Sequence, residues 1–103
     1  MRYILVLQWP QTTETSYEDL LAREAALEAR LREKHGRVDG HDSGAGEVNI
    51  FIDTDTPEAA FKAAAMILDA EPLWSEVRAA FRATESDHYE VLWRATLHHF
   101  AVK

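Results

Sequence analysis

The chain has 103 residues and no cysteine, with 47% hydrophobic and 28% charged residues. Such a composition is typical of one globular domain, here residues 1–103, that buries a core without disulfides or a metal. The lack of thiols excludes a cysteine nucleophile and a thiolate zinc site. The formal net charge of −7 argues against binding to nucleic acid or to an anionic membrane, because both partners are themselves negative.

The first segment, Arg2–Trp9, predicts a strand. It is rich in β-branched and aromatic residues and ends at Pro10. Its residues are apolar on both faces, which is typical of a central strand covered on both sides. The apolar run is too short to cross a bilayer, which takes about 20 residues, and too short for a signal peptide. We therefore expect a cytoplasmic protein.

The next segment, from Tyr17 to about His35, has the spacing of an amphipathic helix. Ser16 can cap its first turn, and Gly36 suits the position just past its end. The predicted apolar stripe consists of Tyr17, Leu20, Leu21, Leu27 and Leu31, with Ala25 on the closely packed side.

A hairpin follows, with strands Arg37–Asp42 and Val48–Asp53 joined by a loop from Ser43 to Glu47. We expect Gly44 and Gly46 to supply the positive φ angles that a tight connection needs.

The apolar alternation favours one register for this hairpin. Val48, Ile50 and Ile52 must point to the core, and pairing His41 with Asn49 is compatible with that. Pairing His41 with Val48 instead would bury several unpaired charged groups at a prohibitive cost. The favoured register turns Val38, Gly40 and Asp42 toward the core, and it turns Asp39, His41, Asn49, Phe51 and Asp53 away from the helices.

Thr56, Pro57 and Glu58 predict the start of a second helix, and Pro72 predicts its end. Its buried stripe is predicted to comprise Ala60, Phe61, Ala64, Ile67 and Leu68.

The segment from Leu73 to Thr84 fits either a helix or a strand. We favour a strand over Glu76–Ala83, because Ser86 and Asp87 predict a turn and Tyr89–Trp93 then alternates cleanly. Leu97–Val102 is compatible with a further short strand or with a covering tail.

The predicted order is strand, helix, strand, strand, helix, strand, with an extra C-terminal strand. Two helices on one face of an antiparallel sheet correspond to the ferredoxin-like (βαββαβ) arrangement, an α+β architecture.

The hairpin also carries the densest group of polar side chains. His41 with Asp39 or Glu47 is a candidate ligand site, because histidine and carboxylates suit metal binding or proton transfer. Asn49 and Phe51 complete the candidate ligand-binding set. The structural alternative, in which these groups only make local hydrogen bonds, is favoured. We predict no catalytic residue, no metal and no cofactor.

Three tryptophans, Trp9, Trp74 and Trp93, are expected in the core or at an interface rather than in a ligand-stacking site.

We expect a small, non-catalytic binding or protein-interaction module that uses the open sheet face and forms a homodimer. One version is an acidic, immunity-type protein that neutralises a basic protein partner. The alternative is a small enzyme, or a metal- or ligand-binding protein, with its site around His41.

Three stretches support a family resemblance: Trp9-Pro10, the run D-G-H-D-x-G-x-G-E-x-N-x-F-I over residues 39–52, and Tyr89-x-Val91-Leu92-Trp93. Together they resemble a small family of uncharacterised bacterial proteins of about this length. The resemblance implies a ferredoxin-like α+β fold and carries no established activity. This chain departs from the family pattern after Trp93, where Arg94-Ala95-Thr96 replaces a proline-containing turn.

Overall fold

The computed structural model describes residues 2–10, 17–44, 46–69 and 74–93. The predicted Ser16 cap, the Pro72 helix stop and the Leu97–Val102 strand lie outside them. In the described part, no helix is both long and apolar enough to cross a membrane. The elements are β1 (Tyr3–Pro10), α1 (Tyr17–Arg30), β2 (Arg37–Gly44), β3 (Glu47–Thr54), α2 (Pro57–Leu68), a 3₁₀ turn (Trp74–Glu76), β4 (Arg78–Ala83) and β5 (Glu90–Trp93).

The five strands form an antiparallel sheet in the order β2-β3-β1-β4-β5. β1 is central, with Leu7 opposite Ile50 of β3 and opposite Ala79 of β4. The predicted α+β class with an antiparallel sheet and two helices is therefore confirmed. The strand predicted over Glu76–Ala83 is confirmed as β4 from Arg78 onward, whereas Glu76 lies in the 3₁₀ turn, so the helical alternative is wrong for Arg78–Ala83.

Both faces of β1 are buried, as its apolar pattern predicted. Alternate residues face the two helices and join the main core, while Val6 packs on the opposite face with Ala80. A fully buried side chain of leucine size contributes about 1.5–3 kcal/mol to stability, so the helix-facing layer supplies most of the hydrophobic stabilisation. That layer contains Leu5, Leu7, Trp9, Leu20, Leu27, Val48, Ile50, Ile52, Ala60, Ala64 and Leu68.

Helix α1 ends at Arg30, five residues before the predicted end. The chain then turns tightly, and the His35 amide donates to the Arg32 carbonyl at 2.8 Å. Gly36 has φ +150°, and a Cβ placed on it would lie 2.7 Å from the Asp53 carbonyl oxygen. The close approach to β3 explains the early helix end, because a continuing helix could not bring the backbone against the sheet there.

Part of the predicted α1 stripe is also wrong. Ala25 is exposed rather than closely packed, and Leu21 is 39% exposed. Two charged residues, Arg23 and Glu24, occupy inward-facing positions instead.

The hairpin register is the main correction to the sequence analysis. Val38 pairs with Ile52, as predicted, but the register shifts before Gly40, and His41 pairs with Ile50 rather than Asn49. Asp39 is the extra residue of this β-bulge, and Gly40 next to it has φ +142°. A bulge lets one strand keep Val38 inward and still bring His41 to the same face three positions later.

The bulge changes two further expectations. Gly40 and Asp42, predicted to face the core, pair with Phe51 and Asn49 on the opposite face, and Asp42 is exposed. Gly46 has the predicted positive φ, but Gly44 does not, and β2 continues to Gly44. The strands are therefore longer than predicted at this end.

Helix α2 begins at Pro57 after Thr56, as predicted, but the Thr56 side chain makes no capping hydrogen bond. The Thr54 hydroxyl binds the cap residue instead: it accepts from the Thr56 amide at 2.9 Å and donates to the His35 carbonyl at 2.6 Å. One side chain thus joins the start of α2 to the turn after α1.

Candidate functional site

Arg23 and Glu24 are carried into the interior by the geometry of α1. Arg23 is three residues after Leu20 and four before Leu27, so the helical repeat puts it on the core-facing stripe. Arg23 is 4% exposed, and the Glu24 side chain is 13% exposed. Long charged side chains at such positions need a specific partner.

The guanidinium of Arg23 packs on Trp9 of β1. Its Cζ lies 5.0 Å from the centre of the Trp9 ring. Its Nε and Nη1 atoms are buried and have no hydrogen-bond partner among the described residues, and the same holds for the buried indole Nε1 of Trp9. Three buried donor atoms are therefore unpartnered on two side chains in contact.

This arrangement is unfavourable unless something accepts from it. A buried, unpaired charge costs several kcal/mol, and each unsatisfied donor costs about 1–3 kcal/mol. The cation–π contact offsets about 2 kcal/mol or more of this cost, but it gives the N–H donors no acceptor. Because a guanidinium keeps its charge when buried, only an acceptor, best an anionic one, removes the remaining penalty.

A row of aromatic rings leads from this pair toward the surface. The centroid of Trp9 lies 6.3 Å from that of Trp74, which lies 5.9 Å from that of Phe61, which in turn lies 6.2 Å from that of Trp93. Trp9 is fully buried, Trp74 and Phe61 are half-buried, and Trp93 is 46% exposed. Four separate elements, β1, the 3₁₀ turn, α2 and β5, supply these rings.

His41 lies on the helix-facing side of β2. Its Nδ1 is 2.9 Å from both Oε1 and Oε2 of Glu24. This pair links β2, at the edge of the sheet, to α1. The His41 side chain is 27% exposed. The carboxylate fixes the orientation of the imidazole, as in sites where a histidine acts on a ligand.

The other members of the predicted site do not join His41. Glu47, Asn49 and Phe51 lie on the opposite face of the sheet, and Asp39 is exposed in the bulge. Glu47 accepts from Nη2 of Arg78 at 2.6 Å. Asn49 is 1% exposed and accepts from Gln8 at 3.0 Å. The predicted constellation is thus divided between the two faces, and no group of three or more metal-ligating side chains occurs in the described residues.

A second surface feature lies where the end of α1 meets α2. A groove of about 350 Å³ is lined by basic and apolar residues: Arg30, Arg32, His35, Ala63, Met66 and Ile67. Met66 is 79% exposed. The ion pairs found among the described residues, His41–Glu24 and Arg78–Glu47, do not involve these two arginines.

No protein-family model, no curated protein and no solved structure matches the chain. Its function is therefore inferred from the contacts of its own residues.

Arg23 and Glu24 were missed because the helix prediction counted only apolar positions. The signal was present, since Leu20, Arg23, Leu27 and Leu31 share one face at spacings of three and four. Charged residues are rarely buried, so a charged residue on a core stripe indicates that the side chain has a specific partner or role.

Proposed function

We propose that the protein is a small, non-catalytic binding module whose ligand is an anion held at Arg23 and Trp9. The observation that supports this proposal is a buried guanidinium beside an indole ring. Two guanidinium nitrogens and the indole nitrogen have no hydrogen-bond partner among the described residues. An oxyanion there would accept a charge-assisted hydrogen bond from the guanidinium and so satisfy a buried donor that has no partner among the described residues. The free energy gained by satisfying this donor would contribute to the affinity for the anion.

A ferredoxin-like framework with one added strand is part of this proposal. The strand order β2-β3-β1-β4 with antiparallel neighbours, and one helix in each of the β1–β2 and β3–β4 connections, supports it. β5 extends the β4 edge and brings Trp93 next to Phe61 of α2. In this framework β1 is central and offers Trp9 to the helix layer.

Thermal unfolding tests the proposal directly. The wild type, Arg23→Met and Arg37→Met are compared in chloride and in the same ionic strength of acetate, phosphate or benzoate. A ligand at 100 times its dissociation constant adds about 2.7 kcal/mol, or about 10 °C or more for a domain of this size. We expect at least one anion to raise the midpoint of the wild type and of Arg37→Met, but not that of Arg23→Met. Equal shifts in all three proteins, or none, would contradict the proposal.

A protein-interaction role is a second candidate, supported by the groove at Met66. The groove combines an exposed apolar side chain with cations that make no ion pair among the described residues, which suits an acidic partner segment. An immunity-type chain that neutralises a basic partner is another version, supported by the net charge of −7. Loss of partner capture in Met66→Ser, but not in Leu21→Ser, would favour the groove.

We also propose a homodimer through the sheet face opposite the helices, with the contact limited to the side chains around the centre of that face. Val6, Gln8, Asn49 and Ala80 at the centre of this face are at most 1% exposed. The half-buried apolar side chains around them, Ile4, Phe51, Tyr89 and Val91, are what a second copy would cover. Light scattering at micromolar concentration should give a dimer for the wild type and a monomer for Phe51→Ser. A strict wild-type monomer would contradict it.

The alternative of a small enzyme or metal-binding protein centred on His41 is supported by the Glu24 contact. Zn²⁺ or Mn²⁺ should then shift the unfolding midpoint of the wild type and of His88→Ala, but not that of His41→Ala. Identical shifts in the three proteins would exclude His41 as the site.

A further inference from the structure

The chemical class of the ligand follows from what surrounds Arg23, and this inference rests on the proposed function above. The two unpartnered nitrogens of Arg23 and the unpartnered Nε1 of Trp9 are all hydrogen-bond donors. A set made only of donors, two of them on the charged guanidinium, selects an oxyanion over a neutral or cationic group.

The aromatic row decides what the rest of the ligand is. The rings of Trp9, Trp74, Phe61 and Trp93 follow one another at centroid distances of 5.9 to 6.3 Å. The Phe61 and Trp74 rings are stacked, with an interplanar angle of 24°. Flat apolar faces of this kind favour a planar ring that adds to the row by offset stacking or edge contact.

The exposure of the four rings indicates how the ligand is oriented. The rings change from fully buried Trp9, through half-buried Trp74 and Phe61, to Trp93 at 46% exposure. The cation is at the buried end. A bound ligand would therefore have its anionic group at the buried end and its ring beside half-buried Trp74 and Phe61.

The same gradient disfavours small, strongly hydrated anions. Phosphate or acetate would lose hydration on reaching Arg23 without gaining contacts along the row, whereas an aryl group gains hydrophobic and ring contacts. We propose that the site binds a planar organic carboxylate, with the carboxylate at Arg23 and Trp9 and the ring against Trp74 and Phe61.

Isothermal titration calorimetry on the full chain tests this with four probes. 2-Naphthoate carries the ring and the charge, 2-naphthalenemethanol carries the ring alone, and acetate and inorganic phosphate carry charge alone. The proteins are the wild type, Arg23→Met, Trp74→Leu and Arg37→Met. Arg37→Met removes an exposed charge and serves as the matched control for Arg23→Met.

We expect 2-naphthoate to bind the wild type and Arg37→Met at least about tenfold more tightly than any other probe, since hydrogen bonds to a charged group are worth about that factor or more. In Arg23→Met, 2-naphthoate should bind no better than the alcohol. In Trp74→Leu, it should bind no better than acetate.

The contrary outcomes separate the two proposals. If acetate or phosphate equals 2-naphthoate and all depend on Arg23, the anion site stands and the planar class is wrong. If 2-naphthoate and the alcohol bind equally in the wild type and in Arg23→Met, the planar carboxylate is excluded and Arg23 is not the anchor. If no probe binds, both proposals fail. Arg23→Met that does not unfold cooperatively would contradict them too, because an unpaired buried cation should be dispensable for folding.

Discussion

The guanidinium of Arg23 lies 5.0 Å from the centre of the Trp9 ring, and in the part of the chain that the structure describes neither Nε nor Nη1 of this cation has a hydrogen-bond partner. The contact joins the central strand to the first helix in the core. Structural arginines in protein interiors are generally paired. An arginine whose buried donors lack a partner among the described residues is therefore a candidate for ligand binding, at a cost in stability.

Gly36→Ala should be strongly destabilising. The glycine has φ +150°, and an added Cβ would lie 2.7 Å from the Asp53 carbonyl oxygen and 2.9 Å from Cγ2 of Ile52. Neither the backbone conformation nor the space suits alanine, so we expect a loss of about 2 kcal/mol or more in urea denaturation. Gly44→Ala is the control, because nothing lies within 4 Å of its added Cβ. Similar losses for the two variants would contradict the close approach of this turn to β3.

Thr54→Val should destabilise the protein although the two side chains are nearly the same size. The hydroxyl donates to the His35 carbonyl at 2.6 Å and accepts from the Thr56 amide at 2.9 Å. Its loss leaves both backbone groups without this partner, which costs about 1–3 kcal/mol. The exposed Thr84→Val should change the unfolding free energy by less than about 0.5 kcal/mol. A Thr54→Val protein as stable as that control would show that the two hydrogen bonds of this hydroxyl do not stabilise the fold.

Gln8 and Asn49 should be coupled. They share a side-chain hydrogen bond of 3.0 Å, and each is 1% exposed. Replacing one by leucine removes this hydrogen bond from the other buried side chain, whereas replacing both removes the pair. In a double-mutant cycle the double variant should therefore lose about 1 kcal/mol less than the sum of the single variants. Simple additivity would mean that the bond contributes nothing at this position.

His41 and Glu24 should show a coupling energy of about 1 kcal/mol in a second double-mutant cycle, with His41→Gln and Glu24→Gln. The 2.9 Å contact is partly buried, so salt should screen it only in part. The measurement also tests the hairpin register. If His41 lay on the opposite face, as the alternation of β3 predicts, the two variants would be additive.

The sequence was sufficient for elements whose signals are local. The β-branched run of β1 and the Thr56-Pro57 start of α2 depend on neighbouring residues only, and both were found. The register of β2 could not be predicted in this way, because the bulge at Asp39 conflicts with regular alternation. Alternation could not show that a carboxylate on α1 would meet His41 on the sheet, since that contact joins residues 17 positions apart.

The candidate site in the structure differs from the site predicted from the sequence, for a related physical reason. The polar residues of the hairpin are clustered in sequence, yet strand geometry sends Glu47, Asn49 and Phe51 to one face and His41 to the other. Arg23 and Trp9 are 14 positions apart and meet only when α1 packs on β1. Spacing along a single helix could place Arg23 inward, but it could not supply the aromatic partner.

The unfolding free energy of Arg23→Met in chloride buffer, measured against the wild type and Arg37→Met by urea denaturation, tests the central claim most directly. Replacing an uncompensated buried charge by an apolar side chain of similar length should leave stability unchanged or raise it by about 1–4 kcal/mol. Arg37→Met should stay within about 0.5 kcal/mol of the wild type. A loss of about 3 kcal/mol or more in Arg23→Met would show that Arg23 is a paired structural cation, and the anion site would then be rejected.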